Sequence, residues 1–412
     1  NGLNITQFYS VGVAPTAAVS GLSSGDYFAA GAQDNGTQYF ENVSTGINGS
    51  VRSQSGDGAF TMMDQGSDKY YISNYVYNGS VNYRLMVSPF TVRTINSESA
   101  SNGAFIAPMV LDSNLDILYA DYSATSPAIR RYKNLKTGTV NKTSLTNATF
   151  LTAAPTAFAV SPYTTTSTTL LVGTRLGKLI KITGADLFPS WSEITGPSFV
   201  GSVSDVEYGQ TENDIFVTMH NYNVVSVWYS ADGGATWSNK EGNLPDMPVK
   251  CILQNPLNLD EVIIGTELGV WYTNNFSAAS PTWNQSYNGM SNVKVTDLDL
   301  RNDNVVYAAT YGRGIFSGQF TSQPLHSDGF VKTNLVTVYP NPATDILTIN
   351  VKDFSGNMNV ELYDVKGQKV LSQNEANFSN EKSINISSLA AGIYVLKVNA
   401  DNLSYTQKVI KK

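Results

Sequence analysis

A chain of 412 residues with 42% hydrophobic content has enough apolar side chains for two or three separate cores. Only 14% of the residues are charged and the formal net charge is -7, so no basic stripe is available to displace counterions from phosphates, which excludes nucleic acid as a partner. No segment approaches the roughly 18 consecutive apolar residues of a membrane-spanning helix.

Tyr, Gly, Asn, Ser and Thr are plentiful, which suits short strands and polar turns better than helices. The chain repeats one hairpin: an alternating strand, a polar turn, an apolar strand, then a small-residue turn. Aligning that last turn gives Ala32, Ser73, Ala120, Thr174, Thr218, Thr266 and Thr310. Units of about 40–50 residues with some four strands each predict propeller blades, here seven. Ile5–Tyr9 matches an inner strand and Asn1–Leu3 the connector before one, as in Gly242–Pro245 and Asn288–Met290. The seventh unit runs out near Phe320 before its outer strand. Residues upstream of Asn1 are therefore expected to supply that strand.

In the first units, Gln33, Asp34, Asn35 and Gly36 form a turn, and Asp57 sits in a second glycine-flanked turn. Asp34 and Asp57 are the nearest approach to a carboxylate pair for glycosidic acid–base chemistry. Both lie where Asp and Asn make turns for local backbone reasons. These residues resemble the Gln-Asp-Asn-Gly and Gly-Asp-Gly signature of sortilin- and xyloglucanase-like propellers. Further on, Ser230, Asp232, Gly234, Thr236 and Trp237 follow the Ser-x-Asp-x-Gly-x-Thr-Trp spacing. Asp232 can accept backbone N–H groups, Gly234 can take positive φ, and Trp237 can start the next strand facing inward. That spacing resembles the Asp-box, or BNR repeat, of sialidases and sortilin-type receptors, which implies a structural turn on the rim.

The remaining reactive side chains argue for no particular chemistry. Cys251 sits in an apolar run and reads as a small buried hydrophobe. His220 and His326 have no Ser/His/Asp or metal-ligand spacing around them. The arginines are scattered, without the cluster a sialidase needs for its substrate carboxylate. No catalytic residue, metal or cofactor is expected, and the sequence leaves calcium undecided.

Residues 321–335 are polar and broken by Pro324 and Gly329, a linker. Beyond it, residues 336–412 hold seven short alternating runs, which predict a small Ig-like β-sandwich. Tyr339, Pro340, Asn341, Pro342 and Asp345 open this part as a rigid extended lead-in, Gly367 fits a hairpin turn, Gly392 and Tyr394 begin a late strand, and Lys411 and Lys412 end the chain. These blocks resemble the type A C-terminal sorting domain of the type IX secretion system of Bacteroidota. The resemblance implies recognition by the outer-membrane translocon, removal by its processing peptidase in the linker, and a secreted or outer-surface destination. The whole reads as an all-β protein, a seven-bladed β-propeller over residues 1–320 followed by the sandwich. Its expected role is a glycan- or protein-binding surface module. The alternatives are a secreted glycoside hydrolase of xyloglucanase or sialidase kind, or an accessory domain beside an upstream peptidase.

Overall fold

The structure, a computed structural model, describes residues 5–16, 22, 25–44, 46–87, 91–97, 102–286, 289–290, 292–322, 336–400 and 403–412. The readings that rest on Asn1–Leu3, on Asn288, on His326 and on the linker from residue 323 onward lie outside the described residues. Two compact units are present, Asn1–Ser322 and Gln323–Lys412. Apart from one 3-10 turn at Val76–Asn78, all regular structure among the described residues is β.

In the first unit seven antiparallel sheets follow one another along the chain, each with its strands in sequence order. Their first strands are Phe8–Val13, Gly58–Met63, Met109–Asp112, Pro155–Val160, Val203–Tyr208, Val249–Gln254 and Val295–Leu300. Six sheets have four strands, and the seventh has three among the described residues. All seven turn anchors read from the sequence lie on the second strands of these sheets. Second strands such as Leu170–Thr174 and Ile215–Met219 are buried at every position. A strand covered on both faces needs a continuous apolar run rather than alternation, and these have it. Fourth strands such as Ser190–Glu193 and Ser238–Asn239 are short, polar and mostly exposed.

The cores lie between successive sheets. Ile117 and Tyr119 of the third sheet meet Leu170 and Val172 of the fourth, and Phe216 and Val227 of the fifth meet Ile252 and Ile264 of the sixth. The series closes on itself: Phe8, Val11 and Phe28 of the first sheet share a core with Tyr307 and Ala309 of the seventh. Polar groups reinforce that closure. Arg301, beyond the last first strand, bonds Asp303 at 2.8 Å and also Asp26 of the first sheet, and the Tyr307 hydroxyl donates to Asp26 as well. Full burial of each Leu, Ile or Phe contributes about 1.5–3 kcal/mol, so several such side chains per junction make each sheet depend on its two neighbours.

The second unit has five strands: Val336–Tyr339, Ile346–Tyr363, Lys369–Asn385, Gly392–Ala400 and Leu403–Lys411. The sequence predicts seven shorter runs. The difference arises because 352–357 and 373–382, too polar to read as strands, remain paired across the hairpin, with Ser355 opposite Ser379 and Gly356 opposite Phe378. The long strand Ile346–Tyr363 pairs with Val336–Tyr339 through its first half and with Gly392–Ala400 through its second. Leu347, Ile349, Val360, Leu362, Ile384, Leu396 and Val398 form its core. Residues 340–342 form a bend where the sequence reads a rigid extended lead-in, and the peptide bonds before Pro340 and Pro342 are both cis. Asn341 ties that bend to the last strand, donating to the Lys408 carbonyl at 2.7 Å and accepting from the Ile410 N–H at 2.9 Å. Gly367 adopts φ 80° in the hairpin turn, where its N–H donates to the Asp364 carbonyl.

Candidate functional site

Five of the first strands, in sheets one, four, five, six and seven, skip one residue after their opening residue when they pair with the second strand. Such a β-bulge leaves the skipped residue out of the ladder and re-aims its side chain. The skipped residues are Tyr9, Thr156, Ser204, Lys250 and Thr296, and all five line a central cavity of about 950 Å³. Residues from the first strands of all seven sheets bound it.

Three of these side chains form the same bond. The hydroxyls of Thr156, Ser204 and Thr296 donate to the carbonyl oxygens of Val203, Val249 and Phe8, the opening residues of the next sheets' first strands, at 2.6, 2.6 and 2.8 Å. Deeper along the strands, carboxylates repeat the device with reversed polarity. Asp205 accepts the Ile252 N–H at 2.9 Å, Asp297 the Val11 N–H at 2.9 Å, and Asp299 the Val13 N–H at 2.7 Å. Each latch joins one first strand to the next around the cavity.

Besides Tyr9, whose ring packs against Phe105 and Tyr311, two positions depart from this pattern. Lys250 stands where Thr156, Ser204 and Thr296 stand, and Glu207 stands where Asp299 stands, four residues after the opening valine of its strand. Neither side chain makes a hydrogen bond or ion pair among the described residues. Both line the cavity and are half-buried. Around Lys250, Lys294 pairs with Glu267 at 2.7 Å, and His220 Nε2 lies 3.9 Å from the same carboxylate. His220 is held neutral, its pKa lowered to about 3 by burial and then by Lys250 and Lys294. Its Nδ1 is buried without a hydrogen-bond partner among the described residues. The deeper carboxyls shift the other way. Burial pushes Asp299 up to about 6, and burial followed by the repulsion of Asp205, Asp299 and Asp297 raises Glu207 well above the usual carboxylate range. The cavity is thus graded, cationic around Lys250 and acidic around Glu207.

On the face that carries the turns after the second strands, two aromatic rings stand out. Tyr77 takes a left-handed backbone, φ 59°, and is 38% exposed, while Phe105 is 43% exposed, and their rings meet edge-on at 5.3 Å. Buried Asn78 holds the turn, donating to the Asp121 carbonyl at 2.6 Å. Phe105 also meets Tyr9 edge-on at 6.4 Å.

The turn residues singled out in the sequence sit apart from the cavity's charged groups. Asp57 accepts the Asp34 N–H at 2.7 Å, Asn35 donates to the Gln33 carbonyl at 2.9 Å, and the Tyr311 hydroxyl donates to Gln33. Gly36 adopts φ 72°, and an added Cβ would lie 1.8 Å from the Gln54 carbonyl oxygen. Asp232 accepts the Thr236 N–H at 2.8 Å and its hydroxyl at 2.6 Å, bonds that hold its pKa down to about 2. Ser230 accepts the Gly234 N–H at 2.9 Å, and Trp237 Nε1 donates to the Ile194 carbonyl at 2.9 Å. Cys251 is buried and forms part of the cavity wall. Among the described residues no group of three or more His, Cys, Asp and Glu is placed to hold a metal ion.

Sequence reasoning missed Lys250, Lys294, Asp205, Glu207, Asp297 and Asp299. The signal was present: Val203–Tyr208 and Val295–Leu300 alternate apolar residues with acids inside otherwise buried units, a pattern that places the acids on the cavity side.

Residues 337–412 match the family described as "Secretion system C-terminal sorting domain". The second unit is a type IX sorting domain. The protein is therefore secreted or displayed on the outer cell surface, and its tail engages the type IX machinery. No curated protein matches the chain. Among solved structures, it is similar to PorZ, described as an essential bacterial surface component of the type-IX secretion system of Porphyromonas gingivalis, at 15% identity and a TM-score of 0.35. That likeness covers 94% of this chain and 50% of PorZ, so the chain spans half the length of that protein, and at this score it carries no argument.

Proposed function

We propose that the first unit is a seven-bladed β-propeller of the Asp-box kind that binds glycan or protein at the cell surface, and that residues 336–412 deliver and anchor it there. The propeller reading is supported by the closed series of inter-sheet cores. A sorting domain behind a cavity-bearing all-β unit is the observation that carries the functional reading. The exposed, edge-on Tyr77–Phe105 pair gives an apolar aromatic corner against which a sugar ring or peptide side chain can pack. The Asp-box of Ser230–Trp237 serves as a rim turn, and the linker at 321–335 as the cleavage region.

Hydrolysis has less support. Acid–base work on a glycosidic bond needs two carboxyl groups free to face the substrate. Asp57 is committed to the Asp34 backbone, and Asp205, Asp297 and Asp299 are committed to neighbouring strands. The test is deletion of residues 337–412 in a bacterium that has the type IX system, with fractionation of envelope and medium. The truncated protein should accumulate in the periplasm. Delivery at wild-type level would sink the reading.

A further inference from the structure

The latch pattern assigns Lys250 and Glu207 a role other than joining sheets. At the Lys250 position, Thr or Ser in three other sheets bonds the next sheet's carbonyl, and at the Glu207 position Asp299 bonds the next sheet's N–H. Lys250 makes no such bond to the seventh sheet, and Glu207 adds none to the Ser204 and Asp205 latches that already join the fifth sheet to the sixth. A half-buried ammonium with no direct ion pair among the described residues and a carboxyl set among three others each cost stability. Chains keep such costs where a ligand recovers them.

The surroundings decide the ligand's class. Lys294 spends its charge on Glu267, which leaves Lys250 as the uncommitted cation of the collar. The three Asp carboxyls spend their oxygens on backbone N–H groups, which leaves Glu207 as the uncommitted acid. Lys250 is the second residue of its first strand, beside Lys294, whereas Glu207 is the fifth residue of its own, further along the cavity. The two uncommitted groups therefore belong to different ends of one charge gradient. His220 Nδ1, buried without a hydrogen-bond partner among the described residues, stands at the cationic end. A cavity of about 950 Å³ suits a small molecule rather than a folded partner. We propose that the channel holds a small zwitterion, its anionic group at Lys250 and its ammonium at Glu207. This goes beyond surface binding of glycan or protein, and it rests on the first unit being a binding module.

The experiment uses the full chain with glycine, 4-aminobutyrate and 6-aminohexanoate as zwitterions of increasing length, and hexylamine and hexanoate as single-charge controls. Binding is read by saturation-transfer NMR and by the ligand-induced shift in Tm. Lys250→Ser restores the hydroxyl latch of Ser204, and Glu207→Asp restores the carboxylate latch of Asp299. At least one zwitterion should bind the wild type about tenfold more tightly than either control. Each substitution should abolish that advantage while leaving the ligand-free Tm equal to or above that of the wild type. The proposal is overturned if no zwitterion outperforms the controls, or if its binding survives both substitutions. A fall in ligand-free Tm in both variants would also overturn it, by showing that the two charges serve the fold. Export is read separately by fractionation, so failure here is distinct from failure of the surface-module reading.

Discussion

Replacing Asp299 by Asn separates the hydrogen bond of a latch from its charge. The amide oxygen can still accept the Val13 N–H that Asp299 accepts at 2.7 Å, but the side chain no longer ionises. Burial raises the folded-state pKa of Asp299 to about 6, above the unfolded value of about 3.9. A carboxyl raised on folding favours the folded state only when protonated. Its effect is thus absent below about pH 4, and wild-type stability is lost as pH rises from there through 6. Two pKa units correspond to about 2.7 kcal/mol, and because the side chain is only half-buried and lines the cavity, about 1–2 kcal/mol is the effect to expect. Urea unfolding of the full chain, followed by tryptophan fluorescence, should show Asp299→Asn more stable than wild type by that amount at pH 8. At pH 4 the two should be equal. A variant less stable than wild type at pH 8 would refute the reasoning, since the charged bond would then outweigh its own desolvation.

Two further substitutions probe the scaffold. Ser230→Ala removes the buried acceptor of the Gly234 N–H and the donor to Asp232, and should cost about 1–3 kcal/mol in urea unfolding without affecting the cavity probes. Trp283, 1% exposed and bonded through Nε1 to the Lys240 carbonyl at 2.9 Å, fills the core between sheets five and six, so Trp283→Ala should cost about 3–5 kcal/mol by the same measurement.

The repeating hairpins were legible because burial on both faces forces continuous apolar second strands, and Val262–Ile264 and Leu171–Val172 show this without any structure. The turns at Gln33–Gly36 and Ser230–Trp237 were legible for a local reason: their bonds span only a few residues or adjacent sheets. The cavity acids were legible only as an alternation with apolar residues in Val203–Tyr208 and Val295–Leu300, and their bonding partners were not legible at all. Val11 and Asp297 meet only once seven sheets are assembled, and no local rule announces a bond across that separation. In the tail, the polar stretches 352–357 and 373–382 hid two long strands, because hairpin pairing extends them without help from apolar alternation.

The junction of the first and seventh sheets also bears on how the chain reaches its final state. Val11 and Asp297 are 286 residues apart, and so are Val13 and Asp299. Closing so long a loop is paid for before any of its contacts form, which makes this step slow relative to local hairpin formation. The opening strand must wait with one apolar face uncovered until the final hairpin exists. A partly synthesised or truncated chain would carry that sticky edge throughout, so lesions near Asp297 should promote aggregation far more than lesions of equal severity in the middle sheets.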